Sequence, residues 1–136
     1  MTTQPLTVER AAVLVRAALG RQVAGYCYVA SEAIFHLAGG KRASGLVPQV
    51  LALGPKHNAK YDSHWYLRFG DMHPESNYMS DRILDVTAGQ FRPRLTRADY
   101  ARGRGCGFLT AQPSKGARVI IAAAEKWGTA SDSFGE

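Results

Sequence analysis

The first apolar positions of the chain recur at helical spacing. Over residues 8–19, Ala11, Leu14, Val15 and Ala18 fall on one face, Thr7 can cap the start and Gly20 can stop the end. A second helix is expected from Cys27 to Leu37, with Ala30, Ala33, Ile34 and Leu37 as its apolar stripe and Gly39-Gly40 closing it. After a basic turn the period drops towards two. "LVPQVLALG" (46–54) reads as an edge-type strand because Pro48 cannot donate to a ladder. The polar loop "PKHNAKYD" leads to "SHWYLRFG" (63–70), a strand, and the polar loop "DMHPESNYMS" to a third strand, "DRILDVTAG" (81–89). "LTRADYARG" (95–103) predicts a short helix capped by Thr96, and "GRGCGFLT" (103–110) a glycine-rich loop. "PSKGARVIIAAAEKW" (113–127) predicts a final helix opened by Pro113, with a loose tail after it. Helices, then a small antiparallel sheet, then a C-terminal helix make an α+β arrangement in one domain, 1–136.

Strand alternation sorts the polar residues. In "SHWYLRF", Trp65, Leu67 and Phe69 form the apolar face, while His64, Tyr66 and Arg68 share the other. In "DRILDVT", Leu84 and Val86 face one way, and Ile83, Asp85 and Thr87 the other. An acid inside an apolar strand costs free energy unless something pairs with it. Antiparallel pairing of the two strands puts His64 and Asp85 on one face as neighbours, and such a pair fixes the imidazole tautomer. A helix starting at Cys27 can pack against that face.

Composition narrows the classes without choosing one. With 136 residues, 46% hydrophobic and 21% charged, the chain is sized for one ordinary globular domain. No apolar run approaches the ~20 residues of a membrane span. "MTTQPLTVER" has no basic region leading into an apolar block, so no signal peptide is expected. The two cysteines, Cys27 and Cys106, lie in no disulfide framework, which makes a reducing, cytoplasmic setting the default. The formal charge of +6 is matched by residues 92–118 alone, the first part of a basic C-terminal extension (92–136), where Arg92, Arg94, Arg97, Arg102, Arg104, Lys115 and Arg118 face the single acid Asp99. That segment is either a solvated surface or a binding patch for nucleic acid or an acidic partner, with Arg92, Arg94, Arg102 and Arg104 as its candidate contacts. No zinc-finger, helix-turn-helix or RNA-binding strand pattern accompanies it.

The chemistry rests on Cys27. A cysteine on a helix is often a small packing residue, but a helix start is also where a thiolate is stabilised. A thiol at a helix start, a histidine 37 residues on and an acid 21 further on make a cysteine-hydrolase order. "GYCYVASEA", "HWYL" and "ILDVTAGQF" resemble the papain-like and transglutaminase-like superfamily of Cys-His-Asp enzymes. The blocks "CYVASEA", "HW" and "D-x-TA-x-QF" also resemble small phage-encoded proteins. The resemblance covers residues 22–91 and implies a papain/transglutaminase-like core. It implies Cys27 as nucleophile, His64 as its ion-pair partner and proton donor to the leaving amine, and Asp85 as the group orienting His64. The oxyanion would be held by the Cys27 backbone N–H and by Gln22, which lies close to, though not at, the superfamily's usual spacing.

The implied reaction is cleavage of an amide or isopeptide bond in a protein or peptide through a thioester, with no cofactor and no metal. Water resolving the thioester makes a protease or deamidase, an amine a transferase. Against this stand a non-enzymatic binding module using the basic segment and, more weakly, a zinc site on Cys27 and His64. His36, His57 and His73 have no metal-ligand spacing. Asp71 and Asp81 read as loop residues, Cys106 as incidental, and Glu32 as part of a solvated helix face.

Overall fold

Thr7 starts the first helix by accepting the Arg10 N–H at 3.1 Å, and Gly20, at φ +61°, ends it. The computed structural model describes residues 5–21, 25–53, 63–69, 83–91 and 94–134. In order these give α1 (Val8–Leu19), α2 (Cys27–Leu37), α3 (Gly40–Ser44), β1 (Leu46–Ala52), β2 (Ser63–Phe69), β3 (Ile83–Leu84), a 3₁₀ turn (Ala88–Gln90), α4 (Arg97–Ala101), β4 (Arg104–Gly105) and α5 (Lys115–Phe134). The sheet is antiparallel throughout, in the order β3-β2-β1-β4. The fold is α+β, and both long N-terminal helices have the bounds that their apolar periodicity predicts.

Leu46 and Leu67 of the sheet join Leu14 and Val15 of α1, Ala30, Ile34 and Leu37 of α2, and Ile120 and Ala124 of α5 in one core. Fully burying side chains of this size stabilises by roughly 1.5–3 kcal/mol each. The body of α2 therefore meets the Trp65–Leu67 face of β2, not the His64 face, and Tyr28 stands edge-on to Trp65 with centroids 4.8 Å apart.

Four expectations change. The strand β1 is internal, between β2 and β4, despite Pro48. A residue's N–H and C=O point to the same side of a strand. Because the Pro48 carbonyl accepts the Cys106 N–H at 3.0 Å, its missing donor lies on the side of the two-residue β4, and the β2 ladder is spared. The "GRGCGFLT" segment is not all loop, since Arg104–Gly105 forms β4 against Gln49 and Val50. The third strand is cut to Ile83–Leu84 because Thr87 turns back, donating both its N–H and its hydroxyl to Asp85 Oδ1 at 3.3 Å. Finally, the last helix does not stop at Gly128. A Cβ there would lie 3.3 Å from Leu14 Cδ1, so this glycine lets α5 approach α1 closely, and the helix continues to Phe134.

Glu32 is also not a solvated residue. It is fully buried, its Oε2 accepting the Ser114 N–H at 2.8 Å and its Oε1 the Ser114 hydroxyl at 2.6 Å. Ser114 Oγ in turn accepts the Ala117 N–H, so the α2 acid anchors the start of α5. Replacing Glu32→Ala strips both acceptors from a buried helix start and should cost about 3 kcal/mol or more. Urea unfolding should show a lowered midpoint at an unchanged slope, partly restored in Glu32→Gln. An unmoved midpoint would remove the anchoring role.

Candidate active site

Local geometry brings three distant residues together. The chain enters α2 through Gly25, whose φ of +81° is a left-handed value that side-chain-bearing residues rarely adopt. Cys27 then occupies the first position of α2, a free thiol only 9% exposed, and the N-cap Tyr26 supplies no side-chain cap to the helix end. His64, near the start of β2, is fully buried. Asp85 follows β3, with 4% of its side chain exposed, and its Oδ2 lies 2.6 Å from His64 Nε2.

The β2–β3 register pairs Leu67 with Leu84 and Arg68 with Ile83, which carries Asp85 onto the His64 and Tyr66 face as the alternation requires. His64 meets aromatic rings there as well as the Asp85 carboxyl. Phe91 meets its ring edge-to-face at 4.6 Å and Tyr66 stacks at 6.0 Å, because the turn after Asp85 folds Phe91 over the sheet.

Asp85 is held by more than histidine. The Tyr100 hydroxyl of α4 donates to the same Oδ2 at 2.6 Å, while Thr87 takes Oδ1. The Tyr66 hydroxyl donates to the Tyr100 carbonyl at 2.8 Å and lies so close to Gly103 that any Cβ there would collide with it. Gln90 accepts the Gly25 N–H at 3.4 Å and donates to Thr87 Oγ1 at 3.2 Å. Thr87 and Gln90 lie inside the block "ILDVTAGQF", so their proximity to Asp85 is a local signal. Tyr100 has none, because only packing of α4 brings it in.

Burial alone would lower the His64 pKa. The hydrogen bond to Asp85, then the nearby Cys27 side chain and the Asp85 charge, outweigh it and raise the value to about 9. Cys27 is thus close enough to act on the imidazole, yet His64 Nδ1 has no partner at full hydrogen-bond geometry. Burial, then Asp85, pushes the Tyr100 phenol far above its ordinary range, and burial raises Tyr66 to about 12, so both hydroxyls remain donors at neutral pH.

The other candidates divide. Gln22 and Arg92 lie outside the described residues, as do His57, His73, Asp71 and Asp81. Arg94 is exposed beside the site, Nη2 4.0 Å from where a Cβ of Gly89 would stand. Arg102 reaches Asp99 at 3.3 Å with 56% of its side chain exposed, and Arg104 is exposed on β4. Cys106 and His36 line a separate cavity of about 590 Å³ that contains none of the three central residues. Among the described residues no group of three or more His, Cys, Asp or Glu could hold a metal, and no helix is long and apolar enough to cross a membrane.

No family model, curated protein or solved structure matches the chain.

The His64 shift has a stability consequence with a definite sign. A histidine whose folded pKa rises from 6.5 to about 9 stabilises the fold fully below pH 6.5. That contribution, on the order of 3 kcal/mol, is lost as pH rises through about 9. Denaturant unfolding between pH 6 and about 9.5 should show falling stability across this window, and Asp85→Asn should flatten the slope. Equal slopes in both proteins would mean that His64 does not carry it.

Proposed function

We propose that the chain is a cysteine-dependent hydrolase with a papain/transglutaminase-like core, cleaving an amide or isopeptide bond of a protein or peptide. The geometry that supports this most is the buried His64, bound through Nε2 to Asp85, together with the nearly buried Cys27 thiol at a helix start. Here an acid and a thiol both favour its charged form, as a thiolate–imidazolium pair requires.

In this reading Cys27 Sγ attacks the substrate carbonyl carbon, the C=O π electrons move onto oxygen, and the Cys27 N–H at the helix start accommodates the oxyanion. His64 gives its proton to the leaving amine as the C–N bond breaks, leaving a thioester. Water, deprotonated by His64, then attacks the thioester carbonyl and releases the acid and the thiol. With the histidine fully buried and a little of Cys27 exposed, substrate reaches the site from the thiol side. An amine in place of water gives the transferase form of the same chemistry.

The reading is tested by the pH profile of Cys27 alkylation with iodoacetamide. Wild type should react selectively at Cys27 below neutral pH, and His64→Ala should shift the profile upward towards that of a free thiol, near pH 8.5. Asp85→Asn permits the wrong tautomer, a change that costs about 10⁴ in a serine triad, and a smaller loss is expected where the ion pair is already formed. A His64→Ala profile that overlays the wild type would make Cys27 a packing residue.

A further inference from the structure

Asp85 and the loop that delivers Cys27 are joined by an unbroken chain of side-chain hydrogen bonds. The Gly25 N–H, two residues before the thiol, donates to Gln90 Oε1 at 3.4 Å. Gln90 Nε2 donates to Thr87 Oγ1 at 3.2 Å, and the Thr87 hydroxyl donates to Asp85 Oδ1 at 3.3 Å. Its direction is set from both ends. A backbone N–H can only donate, so it turns the Gln90 amide oxygen towards Gly25. The amide NH₂ must then face Thr87, whose own proton is left for the carboxyl.

Glutamine suits this gap because its amide offers an acceptor on one side and a donor on the other. Glutamate lacks the donor, and asparagine is one methylene shorter. The 3₁₀ turn Ala88–Gln90 is what aims it, with the Gln90 N–H returning to the Thr87 carbonyl at 3.1 Å and the Phe91 N–H to that of Ala88 at 3.3 Å.

We infer that Gln90 is a positioning residue that ties the acid turn to the Cys27 loop, so that one hydrogen-bond chain holds the thiol at its working distance from His64. This rests on the Cys27–His64–Asp85 reading but makes a separate demand, because Gln90 touches neither the thiol nor the imidazole in the chain of bonds above. It governs where Cys27 stands and leaves the protonation of its partner unchanged. Loss of Gln90 should therefore lower reactivity without moving its pH dependence.

The test uses the full chain and needs no substrate. Iodoacetamide alkylation of Cys27 is followed against pH by peptide mass spectrometry, which scores Cys106 separately. Amide exchange at Gly25 is read by NMR on the same samples. In Gln90→Met, similar in shape but without the amide, the Cys27 rate should fall about three- to tenfold at every pH, the rate equivalent of one ordinary hydrogen bond. The midpoint of the profile should stay in place, and Gly25 exchange should quicken.

Gln90→Glu keeps an acceptor for Gly25 but offers Thr87 no donor, so Gly25 protection should return while the rate stays low. It also serves if the methionine variant does not fold. An unchanged Cys27 rate in either variant, unchanged Gly25 exchange in Gln90→Met, or a shifted midpoint in that variant overturns the positioning role. Failure of the triad itself is read elsewhere, in a wild-type profile that His64→Ala leaves unmoved, so the two failures are distinguishable.

Discussion

Asp85 is the point on which the remaining geometry turns. Its two oxygens receive His64 Nε2, the Tyr100 hydroxyl, the Thr87 N–H and the Thr87 hydroxyl, and so they bind β2, α4 and the turn after β3 to one carboxyl group. A polar group this deeply buried costs several kcal/mol if left alone, and each hydrogen bond involving a charged group returns about 1.5–3 kcal/mol. The balance requires all the donors to arrive together, which is why β3 ends where it does and why α4 lies against the sheet. The Tyr66–Tyr100 ring pair, with centroids 5.0 Å apart, and the bare Gly103 backbone make room for that arrangement.

A second buried acid does the same for the helical layer. Glu32 on α2 grips Ser114 at the start of α5, across 82 residues of sequence. Beside it, Tyr28, Phe35, Trp65 and Phe108 form an edge-to-face and stacked aromatic seam. The Leu109 N–H donates to the Tyr28 hydroxyl at 2.7 Å. The basic C-terminal segment thereby supplies the edge strand that pairs with β1, an aromatic of the seam, a donor to Asp85 and the longest helix. Its arginines Arg94, Arg102 and Arg104 remain on the surface while Ala117, Ile120 and Ala124 pack into the core.

The proposed chemistry draws on the rigidity of these two clamps. A thiol on a helix end, a histidine on a strand and an acid on a turn belong to separate elements, and transition-state geometry demands that they hold station to within a fraction of an ångström. Asp85 and its donors fix the histidine, whereas the Gly25–Gln90–Thr87 bonds reach towards the thiol. Those bonds, at 3.2–3.4 Å, are longer than the 2.6 Å contacts at Oδ2, so the thiol side is held by the weaker hydrogen bonds.

Much of this was legible in the linear sequence, and the division follows the range of the forces involved. Apolar periodicity and the caps Thr7 and Thr96 set α1, α2 and α4, because helix hydrogen bonds and capping act within four residues. Strand alternation placed His64 and Asp85 on one face, since side chains point to opposite sides at every step whatever the surroundings. Everything that depends on a partner far along the chain had to wait for the tertiary structure. Pro48 marks an edge by itself, and only β4 arriving beyond it makes β1 internal. The residues after Trp127 read as a loose tail by themselves, but α5 runs on through Gly128, which sits close against Leu14 of α1. Glu32 on an isolated helix would face water, and Tyr100 would be one more aromatic on a short helix. Their roles come from burial against Ser114 and Asp85, because a hydrogen bond gains its full weight only where water cannot compete for it.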